Sequence, residues 1–233
     1  MSKKPAVIAG FNCFWVDKQI LIIYNKKHML RNISFRIIGG KGMPPKCKFT
    51  REEIIQAALD IARTEGASSI TARALGAKLG SSPKPIFSVF ENMEEVQVEV
   101  QKSAKALYAG YVHTGLQQEQ AFKGVGTQYI LFAIKEPKLF QLLFMSEQSQ
   151  KPSVTGILPI IDESYDQILL SVQTGYELGK EDSENLYRHL WIYTHGIAVL
   201  CATNMCSFTA EEISKMMTEV CKSLLKEIKG GKK

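Results

Sequence analysis

A chain of 233 residues, 45% hydrophobic and 22% charged, is long enough for one or two globular domains with an ordinary core, and too apolar for general disorder. Its five cysteines, Cys13, Cys47, Cys201, Cys206 and Cys221, include no CxxC pair and leave one odd, which argues against a zinc ribbon or a disulfide framework and for a reducing cytoplasm. The net charge of +6 misleads as a whole: residues 1–42 hold eight Lys/Arg against one acid, so the remainder carries −1, yet residues 43–90 alone hold seven cations against four acids.

Residues 1–42 show neither a helical period nor strand alternation. Their basic start and apolar centre suggest a signal peptide, but no small-residue cleavage site follows. A second reading is that this non-conforming extension is not native protein: Met43 opens a chain of 191 residues, and Gly39-Gly40 can be encoded by a bacterial ribosome-binding sequence just ahead of it. No apolar run reaches the roughly 18 residues of a membrane span, so no membrane partner is expected.

From Met43 onward the signals are regular. Thr50-Arg51-Glu52-Glu53 is a capping box, and Ile54, Ile55, Ala58, Leu59, Ile61 and Ala62 give a first helix an apolar face up to Gly66. Thr71 caps a second, short helix, with Ile70 packing on Leu75 as a hydrophobic staple and Gly80 ending it. In LGSSPKPIFSVF, Ser82 is read as the N-cap of a third helix running to about Phe90. Pro83 and Pro85 then fall in the first turn, where backbone N–H groups have no acceptor to lose. That N-terminus offers Ser82, Lys84 and unpaired N–H groups to an anion. Asn92 starts a long helix through Met93, Val96, Val100, Ala104, Leu107 and Tyr111. Two short helices joined by a Gly turn and steadied by a preceding helix form a helix-turn-helix arrangement, for which the anion is DNA phosphate.

The stretch TREEIIQAALDIARTEGASSITARALGAKLGSSPKPIFSVFENMEEV resembles the DNA-binding domain of the tetracycline-repressor (TetR) family of bacterial transcription regulators. It matches in the Gly that ends the first helix, the Thr-led second helix, Leu-Gly-x-Ser, an aromatic, a Phe and an acidic start to the fourth helix. The later stretches YILFAIKEPKLFQLLF and LWIYTHGIAVL are similar to a family subgroup with a Trp-x-x-x-His-Gly signature, here Trp191, His195 and Gly196. The resemblance implies an all-α fold, with a three-helix DNA-binding domain over 43–92 and a helical ligand-binding and dimerisation domain over 93–233. It carries DNA contacts onto Lys48, Thr71, Arg73, Ser82, Lys84, Pro85, Phe87 and Ser88. Three features depart from the family: Met93 replaces a phosphate-reaching Lys, Phe87 replaces a Tyr, and Pro85, Ser88 and Val89 occupy the recognition face. Lys46 joins Lys48 in an arm able to add backbone contacts.

Aromatics are dense between residues 108 and 200, and most belong to an ordinary core. The resemblance makes Tyr129, Phe132, Phe140, Phe144, Tyr165, Tyr187, Trp191 and His195 the lining of a pocket for a small, mainly apolar inducer. Trp191 and His195, at i and i+4, share a helix face, and no nucleophile is positioned beside them, so no enzyme is expected. His189, His195, Cys201 and Cys206 lack metal-ligand spacing, and no cofactor is implied. Thr209 caps a last helix with Ile213, Met217, Val220, Leu224 and Ile228 in a stripe. The resemblance pairs that helix, 209–228, and the helix over 185–201 with the same two of a second chain. The expected function is a cytoplasmic, homodimeric repressor that binds a palindromic duplex operator and is released by a small molecule. Two alternatives stay open: a regulator without an effector, and a helical enzyme or interaction protein with an unused helix-turn-helix.

Overall fold

Thr50 opens the first helix as its sequence dictates. The hydroxyl accepts from the Glu53 backbone N–H at 3.1 Å, and the Glu53 carboxylate accepts from the Thr50 N–H at 2.8 Å. The computed structural model describes residues 48–146 and 152–230, so the readings made for residues 1–42, and for Lys46, lie outside the described residues. All regular structure among those residues is helical, and the described part of the chain is all-α.

Helix α1 spans Arg51–Glu65 and α2 spans Ala72–Lys78, with a 3-10 turn at Ala67–Ser69 between them. After a second 3-10 turn at Ile86–Ser88 come α3 at Met93–Leu116, α4 at Ala121–Lys135 and α5 at Pro137–Phe144. The chain continues with α6 at Leu158–Ile161, α7 at Tyr165–Tyr176, α8 at Lys180–Ala202 and α9 at Ala210–Gly230. Asn92 caps α3 by accepting from the Glu95 N–H at 2.9 Å, and Thr209 and Glu212 form a reciprocal capping box at α9. The α8 helix starts five residues before the predicted 185 because Gly179 and the buried Ser183, bonded to the Gly179 carbonyl, add a turn.

One buried cluster runs from Ile54 in α1 through Val96, Val100 and Ala104 in α3 to Phe132 in α4, Phe140 in α5 and Leu186 in α8. Its most intimate contact is between α3 and α4. There Gly115 lies so close to Val125 that a Cβ at Gly115 would sit 2.6 Å from the Val125 Cα and N. Helix α5 bridges two neighbours. Glu136 at its start binds the Arg63 guanidinium of α1 through both carboxylate oxygens, with Arg63 Nε donating at 2.8 Å. Gln141 Nε2 donates to the carbonyl of Ala202, the last residue of α8, at 2.8 Å. Helix α9 packs chiefly on α8 and, despite its apolar stripe, has no fully buried residue. No helix among the described residues is long and apolar enough to cross a membrane.

Candidate functional site

The proposed reading surface starts at Thr71, whose hydroxyl oxygen accepts from the Ala74 N–H at 3.1 Å and thereby caps α2. Ile70 and Leu75 are both buried, as the staple requires, which holds Thr71 and Arg73 outward at the start of that helix. At the other end Gly80 adopts φ +63°, a left-handed conformation that lets the chain reverse directly after α2. Lys48 Nζ donates to Ser81 Oγ at 3.0 Å, so this member of the N-terminal arm is fastened to the turn, not trailing from it.

The segment after the turn differs from the helix expected over Ser82–Phe90. It forms only a 3-10 turn at Ile86–Ser88, with Pro85, not Ser82, in the preceding cap position. The Ile86, Ser88 and Val89 N–H groups bond to the carbonyls three residues back, Pro83, Pro85 and Ile86, at 3.0, 3.3 and 3.0 Å. The prolines explain the difference. Pro85 disfavours α geometry at Lys84, and Pro83 does the same at Ser82, so the tighter i to i+3 pattern is what forms. Burial still divides the segment as a reading element requires. Ile86 and Phe90 are inside, whereas Ser82, Lys84, Phe87 and Ser88 face solvent, Phe87 at 47% exposure. Ser88 Oγ donates to the Pro85 carbonyl at 2.6 Å, which orients its oxygen as an acceptor. From Gly66 to Phe90 the chain carries Arg73, Lys78 and Lys84 and no acid.

Arg51 locks this segment onto the rest of the fold, a role that the sequence reading missed. Its guanidinium stacks on the Phe90 ring, 4.3 Å from the centroid, and pairs with Glu95 at 2.8 Å and Glu99 at 3.3 Å. The Glu91 backbone N–H and then Arg51 hold the Glu95 carboxyl below the usual carboxylate range. The signal was spread over residues 44 positions apart, and only the packing of α1 on α3 joins them.

The eight candidate pocket residues fall into two adjoining groups. Tyr129, Phe132, Phe140, Phe144 and His195 pack together with Tyr108, with ring centroids 5.0 to 6.4 Å apart. Trp191 stacks on His195 at 5.1 Å. Tyr165 and Tyr187 stack on each other at 5.9 Å, with Phe122 edge-on to Tyr187. Tyr129 Oη and His195 Nδ1 are 2.8 Å apart. Burial pushes the imidazole below its ordinary value and the Tyr129 phenol well above its own, so both are neutral and we assign the phenol as donor to Nδ1. The Trp191 indole N–H favours the Tyr129 phenolate but makes no hydrogen bond of ordinary geometry. One further polar residue enters this region unforeseen, Asp162, whose buried carboxylate accepts from the Tyr108 hydroxyl at 3.0 Å. Asp162 directly follows the short helix α6, in its C-cap position, and is buried. A separate surface cleft of about 530 Å³ lies beside Gly66, Lys138, Gln141 and Thr203.

No protein-family model and no curated protein matches this chain.

Proposed function

We propose that the chain is a DNA-binding transcription repressor of the TetR type, a homodimer released from a palindromic operator by a small molecule. The observation that carries this reading is the acid-free stretch Gly66 to Phe90, which exposes Thr71, Arg73, Ser82, Lys84, Phe87 and Ser88 along a short helix, a 3-10 turn and the segment between them, while Ile86 and Phe90 anchor the turn. Phosphate attracts such a surface without regard to sequence, and the side chains that reach base edges select the site. Two copies must meet successive major grooves, about 34 to 36 Å apart. A ligand that favours a different spacing shifts the population away from the bound form.

Selection from a randomised duplex library tests the reading: a palindrome should be enriched, and its absence overturns the proposal. With the selected duplex, Lys84→Ala is expected to weaken binding, because Lys84 is the only cation from Gly80 to Met93. A base contact would cost about 1 to 3 kcal/mol and relax one base pair, whereas a phosphate contact would lower the salt slope by about one. Pro85→Gly, which frees a φ now fixed at −62°, should weaken binding without unfolding the chain. Unchanged affinity and salt dependence in both folded variants would remove this element as the DNA reader.

The dimer is proposed to form through α8 and α9. Ile213, Met217, Val220, Leu224 and Ile228 are only half-buried in the single chain, an apolar stripe that a second copy would cover. Leu224→Glu would place a carboxylate in that seam and is expected to convert dimer to monomer in sedimentation analysis. A variant that sediments as an intact dimer of unchanged stability places the seam elsewhere.

A further inference from the structure

Asp162 is 6% exposed, far from the ordinary position of a carboxylate. Its Oδ2 accepts from the Tyr108 hydroxyl at 3.0 Å and its Oδ1 from the Ser164 backbone N–H at 2.9 Å. Among the described residues no Lys, Arg or His forms an ion pair with it. Its surroundings are phenols from three helices. Burial first, and then the Asp162 charge, pushes Tyr108 on α3, Tyr129 on α4 and Tyr187 on α8 above their ordinary values. Beside Tyr129 stands the buried indole N–H of Trp191 without a partner of ordinary geometry.

Two hydrogen bonds occupy about half of the acceptor sites of a carboxylate and supply no countercharge. Burial pushes the Asp162 carboxyl above its ordinary value, so its ionised form is held at a cost that a cation beside it would offset. The rings that surround it present π faces, which attract cations and tolerate apolar groups alike. We infer that this part of the core binds an organic cation, its positive group paired with the Asp162 carboxylate and its apolar body among Tyr108, Tyr129, Tyr187 and Trp191. Phe144, Tyr165 and Trp191 are half-buried, so the cluster keeps contact with solvent. The inference deepens the proposed function by naming the effector's chemistry. It rests on that reading for its effect on DNA, and not for the binding itself.

The test is calorimetric titration of the full chain with benzyltrimethylammonium and with neopentylbenzene, its neutral isostere. The cation should bind at least roughly tenfold more tightly. In Asp162→Asn that preference should vanish, with affinity for the neutral compound unchanged. Equal affinity of the wild-type chain for the two compounds overturns the inference and needs no variant. A folded Asp162→Asn chain that keeps the cation preference also overturns it. Adding each compound to the complex with the selected duplex separates the two claims. Cation preference in a chain that selects no duplex keeps this site and overturns the regulator. Release from DNA by the neutral compound alone overturns this site and keeps the regulator.

Discussion

Phe132→Ala is expected to lower the stability of the chain by about 3 to 5 kcal/mol, a large share of the roughly 5 to 15 kcal/mol typical of a folded protein. Phe132 is fully buried, and its ring lies 5.2 Å from Tyr111 and 5.4 Å from Tyr108, with Phe140 and Phe144 both at 6.4 Å. These neighbours come from two different helices, α3 and α5, so no single side-chain movement closes the hole that the ring leaves. Urea unfolding followed by circular dichroism should show a lower midpoint with an unchanged slope. A loss below about 1 kcal/mol would mean that the surrounding rings collapse into the space, contrary to the close packing inferred from their distances.

Gly115→Ala should cost about 3 kcal/mol, although alanine is the better helix former by about 1 kcal/mol. The added carbon would lie 2.6 Å from backbone atoms of Val125, and backbone cannot rotate out of the way as a side chain can. Gly124 faces the same contact from the other side, meeting the Gly115 carbonyl, so α3 and α4 would have to separate where they pack most closely. Gly110 on the same helix provides the control. A Cβ there has nothing within 4 Å, and Gly110→Ala should leave stability unchanged or raise it by up to about 1 kcal/mol. If the two variants melt alike, the helices tolerate separation and the close approach is not a constraint.

What could be read in the sequence was mostly local. Thr50, Thr71, Asn92 and Thr209 each accept from an N–H three residues on, a bond set by adjacent residue types, and each starts its helix as expected. The Trp191 and His195 stack follows from i, i+4 spacing on one helix. The segment from Ser82 to Phe90 was read wrongly for an identifiable reason. Its prolines cost no hydrogen bond in a helical first turn, but Pro85 disfavours α geometry at Lys84, inside that turn, and the backbone settles into the 3-10 turn instead. Arg51 and Asp162 were illegible because their roles are fixed by partners 44 and 54 residues away. The stripe of α9 was legible as a pattern, but apolar spacing names no partner.

The shared packing of α1 and α3 bears on how this chain can be recombined. The boundary at residue 92 falls on the cap of α3, yet Val96 and Val100 beyond it are completely buried in the same cluster as Ile54, and Arg51 is held by Glu95 and Glu99. A fragment ending there would keep the exposed side chains and lose the wall behind them. A chimaera that transplants the proposed reading surface therefore has to inherit the first two turns of α3, with the splice placed after Val100 and not at the boundary that the sequence suggests.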